Sequence, residues 1–321
     1  MYQIKQKPED FKVKEINTLK TGETGKYCYF TLKKTNYTTL RALEHIANAL
    51  HIERKKLGFA GTKDKNAQTE QTVSACGIKK EQLQQIKLKD LQLEFVGYSD
   101  QPISLGDLDK NEFEITIRNL EEIKPITKTR FINYYGEQRF STKNPQIGKA
   151  IIQSKPKDAV QMITEDEGDI EEKVREKIEN NKNDYVGALR ALDKKLLQMY
   201  IHSYSSMIWN KTAAELINKG ITEQTTIPLL GFSTELGEDE PSKIIKRIMQ
   251  EEKITQRDFI IRQIPELSAE GQTRQLFAEA EDLEILEESE DELNQNKKKI
   301  KIRFKLTKGS YATEYIKQIL E

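Results

Sequence analysis

Strand-type patterns stand at both ends of this chain, and the long stretch between them reads as helix. Phe11-Lys12-Val13-Lys14-Glu15-Ile16 and Tyr27-Cys28-Tyr29-Phe30-Thr31-Leu32 alternate or concentrate β-formers, with the turn-prone Thr21-Gly22-Glu23-Thr24-Gly25 between them. Phe113-Glu114-Ile115-Thr116-Ile117-Arg118 alternates cleanly, as a half-buried strand does. Near the far end, Lys297-Lys298-Lys299-Ile300-Lys301-Ile302-Arg303-Phe304-Lys305-Leu306 alternates again, with basic residues on one face. A return to strand character so late implies that the last strand rejoins the sheet of the first segment. The middle is then an insertion into one discontinuous domain.

Between these strands the spacing changes to that of helices. Leu40, Leu43, Ile46, Ala47 and Leu50 predict a helix from about Thr38 to His51, with Thr38 or Thr39 as its N-cap. Leu196, Leu197, Tyr200, Tyr204, Met207, Ile208, Ala214 and Leu216 predict another from about Asp193 to Lys219, closed by Gly220. Residues 279–292 hold nine acids and no base, which reads as an acidic linker or an exposed helix. Leu57-Gly58-Phe59-Ala60 is a short buried strand, Gly61 to Thr69 a polar loop, and Gln71 to Ala75 a further strand.

Charge follows the same division. The chain carries 52 Lys+Arg and 52 Asp+Glu, yet residues 1–157 carry 28 against 19, residues 158–296 carry 16 against 31, and residues 297–321 carry 8 against 2. A polyanion such as RNA is expected at the basic ends rather than the acidic middle. The two cysteines, Cys28 and Cys76, form no C-x-x-C pair, and His45, His51 and His202 complete no zinc spacing. No run approaches the ~18 apolar residues of a membrane span, and the first residues lack a secretory apolar run. A reduced, cytoplasmic, metal-free protein is the expectation.

The chemistry-bearing segment is Phe59-Ala60-Gly61-Thr62-Lys63-Asp64-Lys65-Asn66-Ala67-Gln68-Thr69-Glu70-Gln71. It lacks the spacing of a phosphate-binding loop, and a lone Asp in a polar loop is usually a turn former. Here, though, Ala60, Gly61, Lys63, Asp64, Ala67, Thr69 and Gln71 occupy every fixed position of A-G-x-K-D-x-x-A-x-T-x-Q. That string resembles the catalytic loop of the TruD family of pseudouridine synthases, in which the aspartate is the catalytic carboxylate. Four further blocks are similar to the family's and come in its order. Lys5-Gln6-Lys7-Pro8-Glu9-Asp10-Phe11 is similar to K-x-x-P-E-D-F, and Leu105 to Phe113 to L-G-x-L-x-G-N-x-F with Lys110 at the glycine. Asn133-Tyr134-Tyr135-Gly136-Glu137-Gln138-Arg139-Phe140 is similar to N-Y-F-G-x-Q-R-F, with Tyr135 at the second aromatic and Ser141 where a glycine usually follows. Gly309-Ser310-Tyr311-Ala312-Thr313 is similar to G-S-[FY]-A-T.

The resemblance implies an α/β (α+β) protein: a pseudouridine synthase core with a mixed, largely antiparallel sheet, plus an inserted TRUD-type domain. The catalytic domain is expected over 1–157 and 285–321, and the insertion over 158–284. The implied function is isomerisation of uridine, at position 13 of tRNA, with Asp64 as catalytic carboxylate. Such a reaction breaks the C1′–N1 bond, turns the base and joins C1′ to C5, so it calls for no cofactor. Addition to the sugar, addition to the base and removal of a sugar proton all remain open as roles for the carboxylate. Phe11, Asn133 and Tyr311 match substrate-contacting positions, Tyr135 keeps a stacking face, and Lys5 matches a lysine placed to partner the aspartate. The flipped uridine would need such aromatic and amide groups. The expected partner is tRNA or another structured RNA, bound in a basic cleft between lobes, with no membrane and no obligate protein partner. Two rivals are a non-catalytic RNA-binding protein on the same scaffold, which the intact Asp64 loop opposes, and an RNA methyltransferase, which would need a G-x-G-x-x-G loop that the chain lacks.

Overall fold

The computed structural model describes residues 2–141 and 143–321. Its chain divides into two compact units, Met1–Phe131 with Glu279–Ala312, and Ile132–Ala278 with Thr313–Glu321. Among the described residues no helix is long and apolar enough to cross a membrane.

The first unit is built on an eight-stranded sheet: β1 Phe11–Ile16, β2 Tyr27–Thr35, β3 Leu57–Phe59, β4 Gln68–Cys76, β5 Leu91–Ser99, β6 Lys110–Leu120, β7 Glu281–Glu290 and β8 Lys298–Thr307. The order is β7-β8-β6-β1-β4-β2-β5, with β3 also on β4. β1 runs parallel to β4, and the other pairings of this sheet are antiparallel. The chain's last strand does join the sheet of the first segment: Phe304 of β8 lies opposite Phe113 of β6, which lies opposite Val13 of β1. Helix α1 (Thr39–Ala49), capped by the Thr38 hydroxyl accepting from the Arg41 N–H, lays Leu43, Ile46 and Ala47 on Phe30, Leu32 and Val73 of the sheet.

One edge of β4 is divided, and the division makes room for the loop of interest. β1 pairs with Gln68 to Glu70, whereas β3 pairs with Val73 to Ala75 on the same edge. The chain leaves β3 at Phe59 and re-enters the sheet at Gln68, so Ala60–Ala67 emerges in mid-sheet where β1 and β3 part. Thr72 between them is met by side chains: Glu15 accepts from its N–H at 3.3 Å, and Asn17 donates to its hydroxyl at 2.8 Å.

The acidic run departs from the expectation of a linker or exposed helix: it is β7, an edge strand. Glu284 sits opposite Arg303, Glu287 opposite Lys301 and Glu281 opposite Lys305. Ion pairs follow, with Lys305–Asp282 at 2.7 Å, Arg303–Glu284 at 3.1 Å and Lys299–Glu287 at 3.3 Å. A run of nine acids with Ala280, Leu283, Ile285 and Leu286 as its only apolar residues carries little apolar periodicity of its own, and the basic strand beside it decides its form through cross-strand charge pairs.

The second unit is mainly helical. Its helices include α2 (Asn144–Ile152), α3 (Pro156–Thr164), α4 (Lys194–Asn218) and α5 (Glu240–Glu252), with a ribbon of Thr226–Leu229 and Gln272–Gln275. Asp193 caps α4 through the Lys195 N–H, and the apolar face that predicted this helix turns to the core, with Tyr200, Tyr204 and Ile208 buried beside Trp209. Residues 132–157, counted with the first segment on sequence grounds, belong to this unit by packing. The reason is Gly148: a Cβ there would lie 2.1 Å from the Tyr200 carbonyl oxygen, so α2 and α4 cross backbone against backbone. The C-terminal helix Ala312–Leu320 closes on the same unit, where Gln318 donates to the Ile132 carbonyl and accepts from its N–H, both at 2.8 Å.

Candidate active site

Asp64 stands at the tip of the β3–β4 loop with 31% of its side chain exposed. The Lys5 Nζ lies 2.5 Å from its Oδ2 and 4.1 Å from the Phe11 ring centroid. The cation partnering Asp64 therefore comes from 59 residues away and not from the lysines on either side of it in sequence. Lys63 instead turns inward to Glu15 of β1, Nζ to Oε2 at 2.6 Å, with side chains 7% and 0% exposed. Lys5 holds φ at +63°, a left-handed conformation unusual for a lysine.

The N-terminal segment that carries Lys5 is tied down by a buried guanidinium. Gln3 exchanges backbone hydrogen bonds with Arg118 of β6, and the Lys7 N–H donates to Asp10. Arg118 donates to both Asp10 oxygens at 2.9 and 3.0 Å and to Asp291 at 2.8 Å, and it pairs with Glu292 at 3.0 Å. Phe11 follows directly, 3% exposed and edge-on to Phe113 with centroids 6.1 Å apart. The Lys5 ammonium lies over its ring, so a base stacking on Phe11 would have to take that place.

Beneath the loop is a floor of buried polar side chains. Gln71 donates to the Gly61 carbonyl at 2.9 Å, Thr39 of α1 donates to Gln71 at 2.9 Å, and the Lys63 N–H donates to Thr39 at 2.9 Å. Lys34 of β2, 2% exposed, donates to the carbonyls of Asp64 at 2.8 Å, Tyr37 at 2.6 Å and Lys63 at 3.4 Å. Burial pushes the Lys34 ammonium down to about 8, with Asp64 opposing that shift and Lys63 adding to it. Two more polar atoms on this sheet, Asn111 Oδ1 and Thr69 Oγ1, are buried without a hydrogen-bond partner among the described residues. Asn111 sits opposite Glu15 on one side and Leu306 on the other.

Asn133 and Tyr135 lie together in the second unit, joined by Arg274. The guanidinium donates to the Asn133 side-chain Oδ1 at 2.6 Å and its carbonyl at 2.8 Å, while Asn133 Nδ2 donates to the Gln275 carbonyl at 3.3 Å. The same guanidinium lies 4.2 Å from the Tyr135 ring, which meets Trp209 edge-on at 5.7 Å. Both ends of the Asn133 amide are thus engaged within the protein. Tyr311 belongs to the first unit and is half-buried, in the segment of chain that follows β8. The structure thus brings Lys5, Phe11 and Asp64 together, and Asn133 with Tyr135.

Sequence reasoning missed Lys34, Arg118, Asn111 and Arg274. Asn111 was within reach, because it lies inside one of the matched blocks. The other three show no local pattern, since a buried cation is recognisable only by its acceptors. Among the described residues no group of three or more His, Cys, Asp or Glu side chains is placed to hold a metal.

A family model described as tRNA pseudouridine synthase D (TruD) matches residues 2–180, 164–226 and 222–319. A Methanosarcina barkeri protein named "Probable tRNA pseudouridine synthase D" is 30% identical, over 99% of this chain and 93% of its own. The tRNA pseudouridine synthase D of Aquifex aeolicus is 28% identical, over 98% of this chain and 97% of its own. A crystal structure of the Methanosarcina mazei protein of that description superposes with a TM-score of 0.74 at 27% identity, covering 97% of this chain and 92% of that one.

Proposed function

The chain belongs to the TruD family of tRNA pseudouridine synthases, and from that premise we propose that it converts uridine 13 of tRNA to pseudouridine with Asp64 as the catalytic carboxylate. The observation that carries this reading is the Lys5–Asp64 pair at 2.5 Å, at a loop tip over a buried polar floor. Isomerisation needs a carboxylate held in one orientation near C1′ and C6, and a cation on one oxygen together with a fixed backbone supplies that. Phe11, Tyr311 and Tyr135 are the proposed aromatic contacts to the extruded nucleotide, with Lys5 at the carboxylate. The first compact unit, Met1–Phe131 with Glu279–Ala312, is proposed as the body of the catalytic domain expected over 1–157 and 285–321, and the second as the body of the insertion expected over 158–284, with work on tRNA in the cytoplasm.

For the uracil edge, Asn133 was the expected amide, and Asn111 is the better supplied. Asn133 would have to give up Arg274 or Gln275, whereas Asn111 has an acceptor with no present donor. Losing a buried hydrogen bond to the base costs about 1–3 kcal/mol. Asn111→Ala should therefore lower kcat/KM by on the order of tenfold to a hundredfold and relax discrimination between uridine and cytidine. Asn133→Ala should act on thermal stability instead.

The primary test is Asp64→Asn, which keeps size and removes charge. Turnover on a tRNA transcript should vanish while tRNA affinity stays within about threefold, because the loss is of a reacting group. Turnover remaining within about tenfold of the unaltered protein would take Asp64 out of the reaction. A transcript with cytidine at position 13 should show no product at that site; product elsewhere would overturn the position but not the chemistry.

A further inference from the structure

Lys34 is a lysine placed wholly in the interior, and its three acceptors are backbone carbonyls. Burying an ammonium away from water is costly unless its donors are used, and here all three are. The carbonyls of Lys63 and Asp64 belong to the two peptide groups that flank the Asp64 Cα. A group that holds both fixes the backbone dihedrals of Asp64, and so the direction in which its side chain leaves the loop.

We propose that Lys34 is a positioning residue for the Asp64 carboxylate, its ammonium clamping the two peptide groups on either side of that residue. The proposal rests on the reading of Asp64 as the catalytic group. The start of the loop does not depend on Lys34, because Gln71 and Thr39 hold Gly61 and the Lys63 N–H independently. Removing the clamp should therefore let the tip swing without unseating the loop.

The clamp depends on one proton. An ammonium has three donors for three carbonyls, whereas a neutral amine has two donors and a lone pair that would face a carbonyl oxygen. The charged groups about it are Asp64 and Lys63 from the loop, with Lys5 behind the first and Glu15 of β1 behind the second. Its cross-strand neighbour on β4, Thr69, is uncharged. Burial lowers the Lys34 value to about 8, so the clamp is complete below that pH and is lost as pH rises through it.

The test measures kcat and KM on a tRNA transcript from about pH 6 to about pH 9.5 for the unaltered protein, Lys34→Gln and Asp64→Asn. The unaltered protein should lose kcat along an alkaline limb centred near pH 8. Lys34→Gln should fold by circular dichroism, lose on the order of a hundredfold in kcat with KM within about threefold, and lack that limb. A folded Lys34→Gln protein with kcat within about threefold, or with the same limb, overturns the proposal. Should Lys34→Gln not fold, the unaltered profile decides, because a kcat flat to about pH 9.5 overturns it and a limb near 8 supports it. If Lys34→Gln keeps full turnover while Asp64→Asn is dead, the clamp is wrong and the carboxylate stands. Turnover by Asp64→Asn removes the premise of both.

Discussion

Two lysines near Asp64 in space have different work, and the difference is measurable. Lys5, 22% exposed, meets the carboxylate from outside, so Lys5→Met should lower kcat while leaving the thermal midpoint within a few degrees. Lys63 neutralises Glu15 in the interior. Removing one partner of a buried pair leaves an uncompensated charge, typically costing about 3–5 kcal/mol, so Lys63→Met should appear first as a lower denaturation midpoint. Equal effects of the two variants on stability, or no effect of Lys5→Met on kcat, would show that these roles are misassigned. The sequence presents Lys63 and Lys65 as the flanks of Asp64 and the family resemblance points to Lys5, and the fold turns Lys63 away to Glu15.

At the scale of elements, the segment before β1 and the terminal helix each carry a buried charge with a testable consequence. Arg118 gathers Asp10, Asp291 and Glu292, and with Lys299 it holds Glu292 down to about 2. Arg118→Met strands Asp10 and Asp291 in the interior and should cost about 3–5 kcal/mol by chemical denaturation. In the second unit, Glu314 is buried on the terminal helix near Tyr134, and its carboxyl is raised, first by burial and then by Glu137 and Glu321, with Lys317 opposing. An acid raised in the folded state binds its proton more tightly there than in the unfolded chain. It therefore disfavours folding once pH passes the ordinary carboxylate value near 4.3. Glu314→Gln should raise the thermal midpoint at neutral pH and leave it unchanged well below pH 4; the reverse order would show that Glu314 is stabilised as the anion.

For the whole molecule, the pairing of β7 with β8 changes the meaning of the charge pattern. Counted along the sequence, basic ends enclose an acidic middle. Counted by compact unit, the first holds 30 Lys+Arg against 27 Asp+Glu and the second 22 against 25. The acids of 279–292 neutralise the bases of 297–305 within one sheet, and Lys297 and Lys299 are engaged by Glu121, Glu287 and Glu292. Lys297 and Lys299, at the start of the basic C-terminal strand, thus already meet carboxylates of this chain. Charge reversal at Lys297 and Lys299 should lower the denaturation midpoint and change the salt dependence of tRNA binding little. A fall in the log–log salt slope by roughly 0.7–0.9 for each lysine replaced would show instead that they meet phosphates.

The sequence by itself determined the strands Phe11–Ile16, Tyr27–Thr35, Lys110–Leu120 and Lys298–Thr307 and the helices Thr39–Ala49 and Lys194–Asn218, because there a burial period of 2 or 3.6 is written locally in the order of apolar residues. It also determined the family, since five blocks of side chains stand in one order along the chain. Only the tertiary structure decided that the acidic run is a strand, that residues 132–157 pack with the helical unit, and that the backbone on both sides of Asp64 is held by Lys34. Each of these is a pairing between residues far apart in sequence. A polar or charged side chain carries no periodic mark of its partner, and its role is settled by whichever opposite charge or carbonyl the folded backbone brings within about 3 Å.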